Sequence, residues 1–514
     1  MGRARRLSVL CALSALLGCV SPAPLARGEQ EDGRTTEWHI VRLLGKPAGY
    51  FFVREVDLED GGVETFQRMR LRMSRAGTLT ETELSTTVRE SAGGGVTAFE
   101  SRQRTGKNTV TTSGKVLGER LVIEVLSDGA PTRKLESAFD PRARGPHWIE
   151  RELHEKLVGA GDEGDELRQF VFSLDVLKCV EQHSVAGPIE EVELADGSRR
   201  ALRRIESRLD VPPGITITSW IGADGRTVKS AMPVMQIEVL RSTREAVLAE
   251  DFASPPEIFV SSSVPLDEPL PTRRRDITYR IRRRGDGDRD NSATEEPALA
   301  TRAAPWRLEA SGAAGHDLRA DPASSGWIVR VRAVEPTTSV QRPVAPTPAL
   351  APFLAANVFI ESDDPQIAEI ARTIVGDETD GWRAACRLEK WVHEAVRDKN
   401  LGTAFATAKE VLESRAGDCT EHAVLLAALA RAAGVPARVV AGLTHAHQSF
   451  VGHMWTEVWV GEWIALDATI GRGRVDADHI AIATSALDIA SVSELFLSLV
   501  PIVSGVRIEV VAAR

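Results

Sequence analysis

Alternating apolar and polar residues occupy much of the first half of the chain. They span residues 38–44, 49–56, 65–73 and 117–126, and clusters of Gly, Asp or Ser separate them. A period of two is typical of a strand that buries one face and leaves the other in water. Residues 37–250 are therefore predicted to form an antiparallel β domain.

Two stretches inside this domain have a different period. Apolar residues recur at intervals of three and four over 147–158 and 166–177, which predicts two helices. The strand pattern returns at 215–221, and a turn at 223–225 leads into a second strand-like stretch at 228–240.

Residues 251–345 are predicted to form a smaller β unit. It contains an acidic segment, 285–297, whose carboxylates are spaced as in a calcium-binding loop. Asn291 stands where such a loop needs its turn glycine, and Pro297 stands where it needs its closing glutamate. We therefore interpret the segment as a solvated loop and predict no metal.

Helical periodicity dominates after a Pro- and Ala-rich linker at 343–352. Helices are predicted at 365–375, at 382–397 and from Cys419 onward, and strands follow at 437–443, 453–460 and 463–468. Helices first and a sheet later indicate an α+β domain, which we place at 346–514.

The first 19 residues have the pattern of a secretion signal. Three arginines within the first six residues precede the apolar stretch 7–17, which is shorter than the about 20 residues that span a membrane. The segment 16–19, Leu-Leu-Gly-Cys, resembles the lipobox of bacterial lipoproteins. That resemblance implies cleavage after Gly18 and lipidation of Cys19.

A lipid on Cys19 would place the protein in a bacterial cell envelope, facing the periplasm. Residues 20–36 are polar and rich in Gly and Pro, and we interpret them as a tether. Val20 and Ser21 follow the cysteine without an Asp, which by the same resemblance favours the outer membrane. A soluble secreted protein with a chance cysteine is the alternative.

Composition changes this picture little. The 514 residues can build several cores, and 43% hydrophobic with 26% charged residues is typical of folded globular domains. The formal charge of -10 gives no electrostatic reason to expect nucleic-acid binding, so no nucleic-acid partner is predicted.

Five cysteines are too few and too scattered for a disulfide scaffold. They lie at positions 11, 19, 179, 386 and 419, and the first falls in the predicted signal. Cys179 and Cys386 are interpreted as small buried apolar residues, although a bridge between them stays open. The remaining thiol, Cys419, is the candidate for chemistry.

Cys419 occupies the first turn of a predicted helix. Asp418 is a suitable N-cap, and Gly434 is a suitable C-terminal stop. The positive end of the helix lowers a thiol pKa from its ordinary value of about 8.5, although Asp418 opposes this effect. A second group that stabilises the thiolate is therefore expected.

A histidine and a carboxylate complete the candidate site. His453 begins a predicted strand, and Asp467 ends the next one. A thiol, an imidazole that takes its proton and a carboxylate that fixes the imidazole tautomer form a nucleophilic triad.

These motifs resemble the transglutaminase-like superfamily, which has a papain-type fold. The family pattern of Gly-Asp-Cys before a helix, His-x-Trp-x-Glu, and then Trp with Asp-x-Thr corresponds to 417–419, 453–457 and 463–469. The resemblance covers about residues 355–485. It implies a nucleophile at Cys419 and a general base at His453, with the orienting carboxylate at Asp467.

The implied chemistry is attack on an amide, followed by transfer of the thioester to an amine or to water. The enzyme would be a cysteine-dependent acyltransferase or a protease, and its substrate a protein or peptide, including cell-wall peptide. No cofactor is predicted. Two alternatives stay open: an inactive scaffold whose β domain binds a partner or lipid, and a β domain that holds cargo for the enzyme.

Other residues near the motifs have weaker functional interpretations. His422, His445 and His447 lack the spacing of a metal site and are interpreted as surface or supporting residues. The Cys419 backbone N–H is one candidate oxyanion donor, and Trp382 or Trp391 could supply the second, although core packing explains both tryptophans better.

Strand parity sets a condition on the triad. A two-residue turn at Gly461 and Glu462 would pair residues whose numbers sum to 923, and Asp467 would point away from His453. An odd number of loop residues, or a bulge, gives an even sum such as 922 and places both side chains on one face. The triad therefore predicts an even sum.

Overall fold

The computed structural model describes two compact units, Met1–Ile258 and Phe259–Arg514. The described residues are 35–514 except for 76–77, 106–107, 128–131, 160, 175–176, 211–214, 258–262, 267–268, 271–273, 284–312, 322–325, 338–339, 400–405, 447, 489–494, 496–497 and 499–505. Cys19, most of the predicted tether and the acidic segment 285–297 lie outside them. None of the described helices is long and apolar enough to cross a membrane.

The first unit is built on one antiparallel sheet, which confirms the predicted fold class of this region. Its described strands are β1 (Thr35–Leu43), β2 (Lys46–Asp57), β3 (Val63–Arg75), β4 (Thr78–Glu90), β5 (Val96–Thr105), β6 (Asn108–Leu117), β7 (Arg120–Ser127), β8 (Arg133–Ala138), β9 (Glu166–Ser173), β10 (Lys178–Glu193), β11 (Arg199–Leu209), β12 (Ile215–Ile221), β13 (Thr227–Met232) and β14 (Ile237–Ser242). They follow the order β8-β7-β6-β5-β4-β3-β2-β1-β14-β13-β12-β11-β10-β9.

Local signals explain much of this sheet. Gly225 has a φ of +78°, as the predicted turn between β12 and β13 requires. The stretch 228–240, which follows it, is interrupted at Pro233–Met235 and forms the two strands β13 and β14. Most neighbouring strands are consecutive in the chain, and this pattern is the one that short turns between antiparallel strands produce.

One of the two helices predicted in this unit is confirmed. Helix α1 (Pro146–Leu153) continues into a π-helical segment, His154–Gly159, and together they cover the predicted range. Ile149 and Leu153 are buried, because apolar residues three and four apart share one helix face. The other helix of the described part, α2 (Arg244–Ala249), was not predicted.

The helix predicted at 166–177 is wrong, because residues 166–173 form strand β9. Leu167, Gln169 and Val171 are buried, and their neighbours are more exposed, so the environment alternates with a period of two. Leu167 and Val171 are four residues apart, an interval that fits both a strand and a helix over so short a stretch. Pairing with β10 along the whole strand decides between them.

The second unit contains two sheets and a group of helices. The described strands are β15 (Val264–Pro265), β16 (Asp276–Arg283), β17 (His316–Ala320), β18 (Trp327–Arg332), β19 (Ala437–Ala446), β20 (Ser449–Trp459), β21 (Trp463–Leu466), β22 (His479–Ser485) and β23 (Val506–Ala513). One sheet has the order β17-β18-β16-β23, and the other has β15-β20-β19-β22 with β21 paired to β20. Of the strands between 251 and 345, β16 pairs with the C-terminal strand β23, and β15 pairs with β20.

Three described helices of this unit lie where the sequence predicts them, and a fourth, at Ala408–Ser414, was not predicted. They are α3 (Pro365–Val375), α4 (Gly381–Ala395), α5 (Ala408–Ser414) and α6 (Cys419–Ala432). Helices before strands confirm the α+β class of the C-terminal region. The four helices and one face of the β19–β20–β21 sheet share a core of small and branched apolar side chains.

Helix α6 lies at the centre of this core. The Asp418 side chain accepts from the Thr420 amide, and Glu421 completes a capping box at the same end. Gly434 has a φ of +76°, which suits the glycine that ends a helix. Nearly every residue from Glu421 to Arg431 is buried, so α6 holds its first turn in a fixed position.

Candidate active site

The residues before Cys419 are shaped by Glu421. Its two carboxylate oxygens accept from the backbone amides of Ala406 and Asp418, at 3.1 and 2.9 Å. Gly417 has a φ of +146°, and a Cβ at this position would lie 2.3 Å from the Glu421 side chain. The glycine of the Gly-Asp-Cys motif is therefore required both by its backbone angle and by the close approach of Glu421.

Strand β20 carries His453 to the first turn of α6. The helix is fixed to this strand, because the Thr456 hydroxyl donates to the Ala423 carbonyl oxygen at 3.0 Å. The Cys419 thiol and the His453 imidazole are hydrogen-bonded, and the Met454 backbone amide also bonds the thiol. Cys419 keeps some accessible surface, as an attacking sulfur requires.

The β20–β21 register is the one that the triad requires. Trp459 pairs with Trp463 and Thr456 pairs with Leu466, so every pair in this hairpin sums to 922. Three residues, Val460 to Glu462, form the loop, and Gly461 adopts a φ of +101°. The predicted even sum is confirmed, and Asp467 follows the strand on the face that carries His453.

Asp467 bonds the nitrogen of His453 that lies away from the thiol. The distance from His453 Nε2 to Asp467 Oδ2 is 2.8 Å. The other carboxylate oxygen, Oδ1, accepts from the Thr469 amide at 2.8 Å and from the Ile470 amide at 3.4 Å. The structure thus brings together all three residues that the sequence singled out, with Nδ1 of His453 left for Cys419.

Burial changes the expected acidity of the thiol. Desolvation and the neighbouring Asp418 raise the pKa of Cys419, although His453 and the Met454 amide lower it, and the net direction is upward. The sequence argument, which considered the helix end and the histidine, expected a lowered pKa. That expectation is corrected, because a thiolate that loses water is costly.

The pKa of the His453 imidazole is also raised, but for a different reason. Burial lowers the pKa of His453, but the charges of Asp467 and of the Cys419 thiolate, with its hydrogen bonds to both residues, outweigh burial and raise the pKa, which makes the imidazole a stronger base toward the thiol. The same ion pair holds the pKa of Asp467 well below its ordinary value, against the effect of burial. Asp467 therefore stays ionised and continues to accept from His453.

A second histidine, His479, reaches the same carboxylate, and sequence reasoning missed it. Its Nε2 lies 3.2 Å from Asp467 Oδ2, and its Nδ1 lies 2.8 Å from Asp478 Oδ1. His479 is 3% exposed. The only sequence signal was an Asp-His pair just before an apolar strand, which has no motif of its own.

The other candidate residues have mainly structural roles. His422 is fully buried rather than at the surface, and its Nδ1 lies 2.7 Å from the Asp418 carbonyl oxygen. Trp382 and Trp391 pack against the helical core, and the Arg415 guanidinium lies 4.7 Å from the Trp391 ring centre. Trp455 is buried and stacks near His453.

The other two tryptophans of the motif region, Trp459 and Trp463, contact each other edge to face across the hairpin. His445 packs against the edge of the Phe450 ring, and His447 lies outside the described residues.

The glutamate of the His-x-Trp-x-Glu motif supports the sheet. Glu457 is fully buried and accepts from Arg438 at 2.6 Å and from the Ala314 amide at 2.8 Å. Arg438 in turn lies over the Trp463 ring, at 4.1 Å from its centre. Glu457 therefore connects β20 to β19 and to the segment before β17.

His453, Asp467 and His479 could also be considered as metal ligands. Among the described residues they form a group whose ligand atoms all lie within 4.8 Å of one another. Both Nε2 atoms are already within hydrogen-bond distance of Asp467 Oδ2, and each imidazole has a second partner on its Nδ1. Hydrogen bonds therefore account for the polar atoms of this group without an ion.

The comparisons with known proteins identify one family. Residues 368–468 match the model of the transglutaminase-like superfamily, and this range contains Cys419, His453 and Asp467. A comparison with curated proteins gives no match.

Three solved structures have regions similar to this chain. One is a proposed cysteine protease from Cytophaga hutchinsonii, with 19% identity, a TM-score of 0.28, and coverage of 46% of this chain and 89% of the other. A beta-barrel-like protein of a domain of unknown function from Brucella abortus has 15% identity, a TM-score of 0.31, and coverage of 40% and 94%. A proposed protease from Parabacteroides distasonis has 9% identity, a TM-score of 0.21, and coverage of 82% and 70%.

Proposed function

Because residues 368–468 are a transglutaminase-like domain, we propose that this protein is a thiol enzyme that attacks amide bonds through Cys419. One observation supports this proposal above all others. Cys419, His453 and Asp467 form a continuous hydrogen-bonded series with the thiol at its accessible end. A residue that only packed in the core would need neither the imidazole nor the carboxylate behind it.

The proposed reaction follows from the different partners of the two imidazole nitrogens. His453 Nδ1 takes the proton of Cys419, and the sulfur then attacks the carbonyl carbon of the amide. His453 returns that proton to the nitrogen of the leaving amine or ammonia when the C–N bond breaks, and a thioester remains on Cys419. An amine or a water molecule then attacks the thioester carbonyl carbon and gives a proton to His453. The C–S bond breaks, the new amide or acid leaves, and His453 returns the proton to the Cys419 sulfur.

Asp467 would act by holding the imidazole rather than by taking its proton. Its bond to Nε2 fixes the tautomer that leaves Nδ1 free to accept, and it stabilises the imidazolium that forms. The Cys419 backbone N–H, at the positive end of α6, is a suitable donor to the oxyanion of the tetrahedral intermediate.

We propose a protein or peptide as substrate, with cell-wall peptide as one candidate. The motif of the signal segment supports an envelope location, because a lipid on Cys19 would hold the enzyme on a membrane surface facing the periplasm. Residues 20–36 would then be the tether between the anchor and the folded units.

The test is the variant Cys419→Ala, with Cys386→Ala as the matched control in the same unit. Casein is supplied with a fluorescent primary amine, and both cleavage of the casein and incorporation of the amine are measured. Cys419→Ala is expected to abolish whichever activity the wild-type protein has, and Cys386→Ala is expected to retain it.

The two readouts separate the forms of the proposal. Peptide cleavage indicates a protease, and amine incorporation indicates an acyltransferase. Undiminished turnover in Cys419→Ala would contradict the proposed role of the thiol. A wild-type protein that neither cleaves nor incorporates, and whose Cys419 reacts no faster with iodoacetamide than Cys386 does, would support the inactive scaffold instead.

A further inference from the structure

Strand β22 carries a second imidazole to the face of the sheet that holds the candidate triad. On β19, Gly442 pairs with His453 and Thr444 pairs with His479. Residues 442 and 444 are two apart and share a face, and directly paired residues also share a face. His453 on β20 and His479 on β22 therefore lie on the same face of the sheet, on either side of β19.

A bulge is responsible for this arrangement. The β19–β22 pairs from Val439 to Ala441 sum to 924, whereas those from Gly442 to Thr444 sum to 923, so Ile482 is the additional residue. Without that shift His479 would pair with residue 445 and would point to the opposite face. A bulge that re-aims one side chain is a common feature near functional sites.

The contacts of His479 determine its charge. Nδ1 faces Asp478 Oδ1 at 2.8 Å, and Nε2 faces Asp467 Oδ2 and the Thr444 hydroxyl at 3.2 Å each. An ionised carboxylate only accepts hydrogen bonds, so both ring nitrogens must carry protons and the ring is an imidazolium. Burial lowers the pKa of His479, but the bonds to Asp467 and Asp478 outweigh it and raise the pKa to about 9.

The surrounding charges are balanced. Asp478 also accepts from Arg274 at 2.8 Å, so the carboxylates of Asp467 and Asp478 face the two cations His479 and Arg274. His316 contacts the His479 backbone, but it accepts from the Ala481 amide and burial lowers its pKa, so it stays neutral. The two cations therefore stabilise the ionised form of Asp467, which accepts a hydrogen bond from His453 and does not take its proton.

We infer that His479 is a positioning residue that holds the Asp467 carboxylate in the orientation that His453 needs. With His479 present, Oδ2 of Asp467 accepts from two imidazoles while Oδ1 accepts from two backbone amides. The carboxylate cannot rotate without losing several of these bonds. Without His479, one side of Oδ2 has no donor, and the carboxylate can turn away from His453.

This inference rests on the proposed function only for the identity of the nucleophile. It is tested on the full chain without any substrate, by the rate at which iodoacetamide alkylates Cys419 between pH 6 and 10.5, read from the mass of the Cys419 peptide. His479→Ala is expected to slow alkylation by about tenfold, the factor that loss of one charge-assisted hydrogen bond gives. In His479→Ala, the rise of the alkylation rate with pH should also shift to higher pH, because a displaced His453 stabilises the Cys419 thiolate less.

Three further variants separate positioning from general damage to the fold. His479→Gln keeps one donor toward Asp467 and should restore part of the rate, and it also serves if His479→Ala does not fold. Thr444→Val removes the other partner of Nε2 and should resemble the wild type. Asp467→Asn combined with His479→Ala should be no slower than Asp467→Asn alone, because His479 acts through Asp467.

A second measurement does not depend on the thiol. The proton on His453 Nε2 should give a low-field proton NMR signal in the wild type that weakens or shifts in His479→Ala. An unchanged signal and an unchanged rate in His479→Ala would overturn the inference. So would a double variant whose slowing is the product of the two single effects. If the signal responds but the wild-type thiol is unreactive, the proposed function fails and the inference stands.

Discussion

Gly417 shows how one residue fixes the position of the candidate nucleophile. It combines a positive φ with a close contact to Glu421, and Glu421 in turn holds the backbone on both sides of α5 through Ala406 and Asp418. Glu421 is fully buried, and burial together with Asp418 raises the pKa of its carboxyl group to about 8. The glycine and the glutamate are therefore parts of one local structure.

Gly417→Ala is expected to lower the free energy of unfolding by about 1–3 kcal/mol, because the new Cβ adds both strain and a clash. Gly473→Ala is the matched control, since Gly473 also has a positive φ, +69°, but no atom within 4 Å of the added Cβ. Urea denaturation of both variants measures the difference. Equal losses in the two would show that the Glu421 contact contributes nothing.

Cys419 is expected to become more reactive as the pH rises above neutral. Its pKa is raised by burial and Asp418, so the thiol keeps its proton at neutral pH and loses it on the alkaline side. Cys386 is an internal comparison, because burial, with Glu389 and Asp380, raises its pKa to about 12. Iodoacetamide should label Cys419 faster than Cys386 at the same pH, because His453 and the Met454 amide stabilise the Cys419 thiolate, whereas Glu389 and Asp380 oppose ionisation of Cys386. An acid limb for Cys419 below pH 7 would contradict this assignment.

At the scale of elements, the three-residue loop between β20 and β21 decides whether a triad can form. Pairs that sum to 922 place Trp455 opposite the position of Asp467, with His453 on the same face. A loop shorter by one residue reverses the face of every residue after it. The sequence motifs alone do not fix this relation, because they specify residue types and not the pairing of strands.

Deletion of Glu462 tests this dependence. The loop then has two residues, Asp467 turns away from His453, and amide turnover and Cys419 alkylation should fall on the order of a hundredfold or more, as loss of the orienting carboxylate does in such triads. Glu462→Ala changes the same position without changing loop length and should retain activity. Retained activity in the deletion variant would mean that Asp467 does not orient His453.

At the scale of the whole molecule, the chain joins a large antiparallel sheet unit to the unit that carries the candidate site. The sheet unit lies between the N-terminal segment and the transglutaminase-like domain along the chain. If Cys19 is lipidated, the first unit follows the lipid anchor along the chain, and the unit that carries Cys419 comes after it.

Cys19→Ala is expected to release the protein from the membrane fraction, because no lipid can then be attached. The measurement is the distribution of the protein between the membrane pellet and the supernatant after an alkaline wash. Cys11→Ala, a change within the predicted signal segment, serves as the control and should leave the protein in the pellet. A Cys19→Ala protein that stays with the membrane would reject the anchor.

The sequence by itself determined the elements with strong local signals. Asp418 and Gly434 marked the ends of α6, and the alternating stretches marked most strands, since caps and side-chain periods act within a few residues. The order of Cys419, His453 and Asp467 also determined the candidate chemistry, and the parity condition predicts the register of their hairpin.

Only the tertiary structure decided what depends on distant parts of the chain. Residues 166–173 became a strand because β10 pairs with them, and His479 reached Asp467 because of a bulge opposite β19. The direction of the Cys419 pKa reversed because packing removes water from the thiol. Pairing, facing and burial also depend on residues far apart in sequence, and a local pattern alone does not determine them.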